Sequence, residues 1–263
     1  MDLGLKGKVA LVAAASRGLG RAVAEELAEE GASLVLCARG QSLLNDVCAS
    51  LSSKVEGRVI GITADVSVTA DVERVVARGL ERFGRIDILV TNGGGPPAGQ
   101  FDSLSREDWD AATRLVLNSV IDFTRLVLPG MKQRGWGRIL NVTSIAVKQP
   151  VDNLMLSNSL RAAVTGFART LANEVAAHGV TVNNILPGYT RTERVEQLAE
   201  AIAAKESIAP SAVKARWEAD IPMRRLGEAR EFAALAAFLV SERASYITGS
   251  SIAVDGGWIR SLL

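Results

Sequence analysis

The chain has 263 residues, an apolar fraction of 48% and a formal net charge of +1. This length fits one large α/β domain with a sizeable core, and the balanced charge favours neither nucleic acid nor an anionic membrane surface as a partner. No apolar run approaches the length of a membrane span, and the N-terminus lacks the pattern of a signal peptide. We therefore expect a cytoplasmic protein with free thiols at Cys37 and Cys48.

The first predicted unit is a strand, a turn and a helix. Residues 9–12 form an apolar run that is too short for a globular helix, which favours a buried strand. A turn of small residues follows at 13–20, and an amphipathic helix then continues until Gly31 ends it. Residues 34–36 are a second apolar run. The pattern predicts a βαβ unit whose turn lies at the helix N-terminus.

That turn has the chemistry of an anion-binding site. The first backbone N–H groups of a helix have no internal partner, and the helix dipole favours negative charge there. Gly18 and Gly20 occupy the second and third positions of a G-x-x-x-G-x-G pattern, while Ala14 occupies the first. A tight turn that binds no ligand is the alternative interpretation.

Apolar runs alternate with amphipathic helices through the rest of the chain, which is typical of a parallel sheet covered on both faces. Further strands are predicted at 57–62, 86–90, 137–144, 180–186 and 251–254. Helices are predicted at about 41–53, 69–83, 105–132, 154–177 and 228–240, with one or two mobile helices at 190–222 broken at Pro210. Thr69 can cap one helix, and Ser105 with Asp108 resembles a capping box. Right-handed crossovers then give one α/β domain, a doubly wound Rossmann sheet of about seven strands.

Several motifs follow one another along the whole chain. They are the glycine turn at 13–20, Asp65-Val66, the strand and loop at 87–94, Asn118, the strand at 139–144, Pro187-Gly188, and the segments 247–249 and 254–257. Together they resemble the short-chain dehydrogenase/reductase family, especially its 3-oxoacyl-carrier-protein reductase-like branch. The resemblance implies a nicotinamide cofactor, a small carbonyl or alcohol substrate, and a homotetramer or dimer.

The resemblance also implies which residues bind the cofactor. They are Ala14, Ser16, Arg17, Gly18, Leu19, Gly20, Arg39, Asp65, Val66, Asn92, Gly93, Gly94, Pro187 and Gly188. The second strand ends at Arg39 without the carboxylate that NAD-selective proteins use for the ribose 2′-OH. Arg39 and Arg17 suit a 2′-phosphate, so we expect NADP(H) rather than NAD(H). A solvated surface charge is the alternative for each arginine, and Asn92 can instead fix its loop.

The predicted catalytic centre departs from the family pattern of Asn, Ser and Tyr-x-x-x-Lys. Asn118 and Ser144 match that pattern. The register fixed by residues 162–166 places Ser157 in the tyrosine position and Arg161 in the lysine position. The family's tyrosine protonates the carbonyl oxygen, and a serine hydroxyl is far harder to ionise. Losing general acid catalysis costs about 10²–10⁴-fold.

Arg161 keeps a positive charge one helical turn after Ser157, so binding of the nicotinamide ribose can survive the replacement. The proton can come from Tyr189, which follows Pro187-Gly188, or from a water held by Ser144 and Ser157. Packing of the 190–222 segment is the alternative role for Tyr189. For Asn118, the alternative is a bond to a backbone carbonyl within its helix.

Two functions fit this sequence. The first is NADP(H)-linked reduction of a carbonyl, 3-oxoacyl-like substrate at an atypical catalytic centre. The second is an inactive dinucleotide-binding or scaffold protein that keeps the fold. The missing tyrosine and lysine favour the second function, whereas the retained Ser144 and Asn118 favour the first, which we expect. No Cys/His cluster predicts a metal site.

Overall fold

The computed structural model describes residues 2–55 and 58–262, and its centre is a parallel sheet. Across the described residues the sheet has seven strands in the order β3-β2-β1-β4-β5-β6-β7. The strands are β1 (Val9–Ala13), β2 (Ser33–Ala38), β3 (Val59–Thr63), β4 (Ile88–Thr91), β5 (Gly137–Val142), β6 (Val180–Pro187) and β7 (Ser251–Val254). The predicted doubly wound parallel sheet is confirmed. Gly57, the predicted first residue of the third strand, lies outside the described residues.

Helices cover both faces of the sheet. They are α1 (Gly18–Glu29), α2 (Gln41–Ser52), α3 (Thr69–Phe83), α4 (Arg106–Thr113), α5 (Ser119–Arg134), α6 (Met155–Val175), α7 (Glu193–Glu206), α8 (Pro210–Asp220) and α9 (Ala229–Leu239). Successive side chains of β1 point to opposite faces of the sheet. Val12 packs with α1, α2 and α9, whereas Leu11 packs with α3, α5 and α6. A strand buried on both faces must be apolar throughout, which explains why β1 reads as a continuous apolar run.

The predicted helix at 105–132 is interrupted. Its start is confirmed, because Ser105 Oγ accepts from the Asp108 N–H at 3.1 Å and Asp108 Oδ2 accepts from the Ser105 N–H at 2.9 Å. A π-helical turn, Arg114–Asn118, then separates α4 from α5. Such turns are frequent at functional sites, and this one ends at Asn118.

The prediction that Thr69 caps a helix is wrong. Val68 holds the cap position without a side-chain cap bond, and Thr69 is the first residue of α3. The Thr69 hydroxyl instead donates to Asp122 Oδ2 of α5 at 2.9 Å. Thr69 lies one position too late to cap the helix, so its hydroxyl serves the tertiary contact between α3 and α5 instead.

Both cysteines are free, as predicted. Cys37 is buried in β2, and burial raises the pKa of its thiol to about 12, so Cys37 is a packing residue rather than a nucleophile.

Among the described residues, the helices are too short or too polar for any of them to cross a membrane.

Candidate functional site

The candidate site lies at the carboxyl ends of the central strands. β1 pairs in parallel with β2 on one side and with β4 on the other, so the strands that precede β4 extend the sheet in one direction and the later strands extend it in the opposite direction. In open α/β sheets this point forms the ligand crevice. The loops that leave β1, β4, β5 and β6 carry most of the predicted site residues to this one edge.

The glycine turn packs tightly against the loop after β4. A Cβ atom placed on Gly20 would lie 2.4 Å from the carbonyl oxygen of Ala14 and 2.8 Å from Asn92 Nδ2. Real Cβ atoms do not approach so closely, so only glycine fits at this position. Gly18 has a φ of 57°, which also favours glycine. The turn therefore brings Ala14, Gly20 and Asn92 close together.

The N-terminus of α1 is open for an anion. The cap residue Arg17 makes no side-chain cap bond, and no acidic residue lies in the first turn of α1. The first backbone N–H groups therefore have no capping side chain, which is the arrangement that binds a pyrophosphate. Leu19 in that first turn packs against the apolar core beside α1, and Ser16 lies within the preceding turn.

Ala14 adopts a left-handed backbone conformation with a φ of 51°. A Cβ atom costs roughly 1–2 kcal/mol there. We expect Ala14→Gly to raise the free energy of unfolding by about 1 kcal/mol in urea denaturation, after allowing for the greater freedom of unfolded glycine. Its control is Ala13→Gly in the buried strand β1, which should lower that free energy by about 1 kcal/mol. Destabilisation by both substitutions would contradict this prediction.

The ends of β2 and β3 bring three further predicted residues close together. Arg39 is exposed after β2, and Val66 is buried beside Asp65 after β3. Burial raises the pKa of Asp65, but hydrogen bonds from the hydroxyl and the N–H of Ser67, with the positive charge of Arg39, hold it below its ordinary value. Asp65 is therefore an anion close to a cation, at the carboxyl end of β3.

Arg17 has a partner that the sequence did not predict. Its guanidinium forms an ion pair with Glu193, the first residue of α7, and both side chains are more than half exposed. The glycine turn is thus joined to the 190–222 segment. An exposed pair of this kind contributes little to stability, so a phosphate can displace Glu193 at small cost.

Arg161 joins α6, which carries Ser157, to the end of β5, which precedes Ser144. Its Nε donates to Ser157 Oγ at 3.2 Å within α6, and its Nη1 donates to the carbonyl of Val142 at 2.9 Å. Val142 ends β5, two residues before Ser144. Ser144 Oγ accepts from the Ala146 N–H at 3.1 Å. Both serine oxygens accept a hydrogen bond from the protein, so both hydroxyl protons are available to a ligand.

A cavity beside Arg161 also brings in the loop after β4 and the π-helical turn. Asn92, Gly93 and Gly94 line one part of it, and Ser119, the residue after Asn118, lines another. Asn118 thus lies at the helix irregularity that borders the cavity. Thr91 and Asn141, on adjacent strands, share a buried 2.8 Å hydrogen bond that fixes the strand ends below this loop.

Arg194 is a crevice residue that sequence reasoning missed. A Cβ atom on Gly95 would lie 3.3 Å from Arg194 Nη2, so this guanidinium reaches the glycine loop from α7. Burial, followed by the charge of Arg194, lowers the pKa of Arg161 to about 10. Arg194 is exposed, as an arginine in the first turn of an amphipathic helix normally is, and no sequence pattern indicated that its guanidinium lies against the glycine loop.

Tyr189 lies in an aromatic cluster. Its ring stacks on Trp217 with centroids 4.6 Å apart, and Trp258 contacts it edge-on at 6.2 Å. Burial, with the charge of Asp220, raises the pKa of its phenol. Among the described residues, no hydrogen bond joins Tyr189 to Ser144 or Ser157. These contacts match the packing role that the sequence left open.

Pro187 and Gly188 lie where predicted, at the carboxyl end of β6. The Gly188 N–H donates to the carbonyl of Val254 at 2.9 Å, and a Cβ on Gly188 would lie 2.8 Å from the Cα of Asp255. Glycine is therefore required where β6 and the segment after β7 approach each other.

A doubly wound parallel sheet with a glycine turn at its switch point is the architecture of dinucleotide-binding proteins. The profile of the family described as enoyl-(acyl carrier protein) reductase matches residues 13–259. The chain belongs to the short-chain dehydrogenase/reductase family, as its motifs predicted.

The similar proteins are full-length matches. NADPH-dependent reductase BacG of Bacillus subtilis is 34% identical over 256 residues, which are 97% of this chain and 99% of that protein. The 3-oxoacyl-(acyl-carrier-protein) reductase FabG of Haemophilus influenzae is 34% identical over 253 residues, 96% and 98% of the two chains. The crystal structure of L-sorbose reductase from Gluconobacter frateurii, complexed with NADPH and L-sorbose, has a TM-score of 0.95 at 34% identity and 100% coverage of both chains.

Proposed function

We propose that this protein is an NADP(H)-dependent oxidoreductase that reduces the carbonyl group of a small, 3-oxoacyl-like molecule at an atypical catalytic centre. The observation that carries the proposal is that Arg161 bonds both the Ser157 hydroxyl and the carbonyl of Val142, which ends β5 two residues before Ser144. The names of BacG and of the L-sorbose reductase structure include NADPH, which supports the choice of cofactor.

The residues of the crevice fit such a cofactor. The uncapped N-terminus of α1 suits the pyrophosphate, and the closely packed Gly20 lets the phosphates approach the backbone. Arg39 stands at the end of β2, where a 2′-phosphate would lie, and Asp65 with Val66 borders the adenine position. Pro187-Gly188 and the loop 92–94 would lie beside the nicotinamide and its ribose.

NADPH, when bound, supplies the hydride that reduces the carbonyl carbon. Ser144 and Ser157 donate their hydroxyl protons in hydrogen bonds to the carbonyl oxygen, which gains negative charge as the reaction proceeds. Arg161 strengthens the Ser157 hydroxyl as a donor, because the oxygen of that hydroxyl already accepts the Arg161 Nε–H. A water held by the two serines supplies the final proton, which converts the alkoxide to the alcohol.

Tyr189 is the less favoured proton donor. Its pKa is raised rather than lowered, so it is a weaker acid than free tyrosine. Its ring also packs between Trp217 and Trp258, where it organises the 190–222 segment. We therefore assign Tyr189 a packing role in that segment, which we propose acts as a mobile lid of a single Rossmann domain.

The proposal includes an oligomer and a location. The homotetramer or dimer is proposed because the chain belongs to the short-chain dehydrogenase/reductase family, whose resemblance implies such an assembly. The free Cys37 and Cys48 suit a reducing compartment, which supports the cytoplasm.

Binding of NADPH and NADH, measured by calorimetry, tests the proposed cofactor. We expect the protein to prefer NADPH and Arg39→Ala to weaken NADPH binding about 10- to 100-fold, because hydrogen bonds to a charged group are worth about 1.5–3 kcal/mol. NADH binding should stay unchanged in this variant, because NADH lacks the 2′-phosphate.

Arg106→Ala is the matched control for Arg39→Ala. Arg106 is an exposed arginine on α4 that pairs with Asp110 at 3.2 Å, so its loss should leave NADPH binding unchanged. Failure of the wild-type protein to bind either nucleotide would overturn the proposal and favour the inactive scaffold instead.

A further inference from the structure

Two arginine side chains border the same glycine loop of the crevice. Arg161 of α6 lines the cavity together with Gly93 and Gly94. Arg194 of α7 lies against the next residue, since a Cβ on Gly95 would be 3.3 Å from its Nη2 atom. The two guanidinium groups therefore place two positive charges beside the position proposed for the reacting carbonyl.

Neither arginine has an acidic partner. Among the described residues, no carboxylate oxygen lies within 4.0 Å of the Arg161 or Arg194 guanidinium. Arg191, which lies in the same segment as Arg194, does have acidic partners: it pairs with Glu218 at 3.5 Å and with Glu228 at 3.2 Å. Burial is the main cause of the lowered pKa of Arg161, and the nearby positive charge of Arg194 adds to it, so the two guanidinium groups are close enough to repel each other. Arg194 is exposed and Arg161 is partly buried, so an anion bound between them would offset their repulsion without being fully removed from water.

The hydrogen bonds of Arg161 indicate where that anion binds. A guanidinium has five N–H donors in a planar fork. Arg161 uses Nε for Ser157 and one Nη1 hydrogen for Val142, so its remaining donors can hold an anion. Such an anion would lie close to the Ser157 hydroxyl and hence close to the carbonyl that this hydroxyl polarises.

We infer that Arg161 and Arg194 bind a carboxylate of the substrate, so that the carbonyl compounds reduced by this protein are short oxo acids. The inference rests on the proposed reductase function and specifies its substrate class. Because one arginine contacts both Ser157 and the anion, the carboxylate is separated from the carbonyl by only a few bonds. Arg194, from the 190–222 segment, supplies the second guanidinium group that binds the carboxylate.

A phosphate of the cofactor is the second source of negative charge near α7. Glu193, the residue before Arg194, pairs with Arg17 of the glycine turn, so α7 begins close to the proposed cofactor site. The test must therefore separate binding of the acid from binding of the nucleotide.

Calorimetric titration of the NADP⁺-loaded protein makes this separation. The probes are pyruvate, acetoacetate and levulinate (4-oxopentanoate), each compared with its own methyl ester, which lacks the charge. We expect at least one acid to bind about 10- to 100-fold more tightly than its ester, the range expected for charge-assisted hydrogen bonds. Arg194→Ala should remove that preference while NADP⁺ binding without the acid stays unchanged.

Arg216→Ala is the matched control, because Arg216 lies on α8 of the same segment, is 54% exposed and pairs with Glu206. This variant should keep the preference for the acid. Equal binding of acids and esters by the wild-type complex, or a preference that survives Arg194→Ala, would overturn the inference. Weaker NADP⁺ binding by Arg194→Ala in the absence of acid would assign the anion to the cofactor instead. If the wild-type protein did not bind NADP⁺ at all, the proposed function itself would be overturned.

Discussion

Replacing Ser157 with alanine is expected to lower kcat about 100- to 1,000-fold, the effect of removing one donor to a developing oxyanion. The measurement is NADPH oxidation with the best carbonyl substrate found in a screen of oxo acids and oxo esters. The affinity for NADPH should not change, because Ser157 is assigned to the substrate carbonyl rather than to the nucleotide. Ser157 is 8% exposed, and its loss leaves Arg161 Nε without its acceptor, so the thermal midpoint is measured in parallel.

Ser159→Ala is the control for this experiment. Ser159 lies on the same helix two residues further along, is exposed, and has only Met155 Sδ near its hydroxyl, at 4.0 Å. Its turnover should equal that of the wild-type protein. If Ser157→Ala kept full turnover with unchanged NADPH affinity, Ser157 would have no catalytic role, and the Tyr189 phenol would become the next proton donor to test.

Replacing Gly20 with alanine is expected to weaken NADPH binding at least about 100-fold. The new Cβ would lie 2.4 Å from the Ala14 carbonyl oxygen and 2.8 Å from Asn92 Nδ2, and the first of these is backbone that cannot rotate away. The turn must therefore move, which displaces the first N–H groups of α1 from the pyrophosphate position. Overpacking of this kind costs about 1–3 kcal/mol of stability. Calorimetry with NADPH and urea denaturation measure the two effects.

Gly166→Ala is the matched control for Gly20→Ala. Gly166 lies inside α6, and a Cβ built there meets nothing within 4 Å. Alanine in a helix interior is more stable than glycine by about 0.5–1 kcal/mol, so this variant should gain stability and keep its NADPH affinity. Wild-type NADPH affinity in Gly20→Ala would show that the glycine turn does not bind the nucleotide.

The strands β1, β2 and β4 could be predicted from the sequence because each is a short, mainly apolar run between turn residues and every residue in it is buried. β7 was predicted at the bounds that the structure gives. The π-helical turn Arg114–Asn118 could not be predicted, because one extra residue per turn hardly disturbs the spacing of apolar side chains over a long helix. The prediction that Thr69 caps α3 was wrong for another reason. The partner of Thr69, Asp122, is 53 residues away in the sequence, and only the packing of α3 on α5 brings it near.

For the candidate site, the sequence indicated residues that belong to motifs but not residues that only packing brings to the crevice. Gly20 and Asn92 belong to separate motifs, and their close approach follows from the pairing of β1 with β4. Arg194 belongs to no motif. Its position depends on how α7 packs against the glycine loop, which nothing in the local sequence specifies.

The strand order has a consequence for how the chain folds. β1 pairs with β2 on one side and with β4 on the other, and the partners Ala10 and Ile88 are about 80 residues apart. At a synthesis rate of roughly 5–20 residues per second, one edge of β1 stays unpaired for about 4–16 seconds after it emerges from the ribosome. The nascent chain must therefore keep its most apolar strand from pairing with other chains during this interval, and chaperone binding to the first 90 residues would protect it.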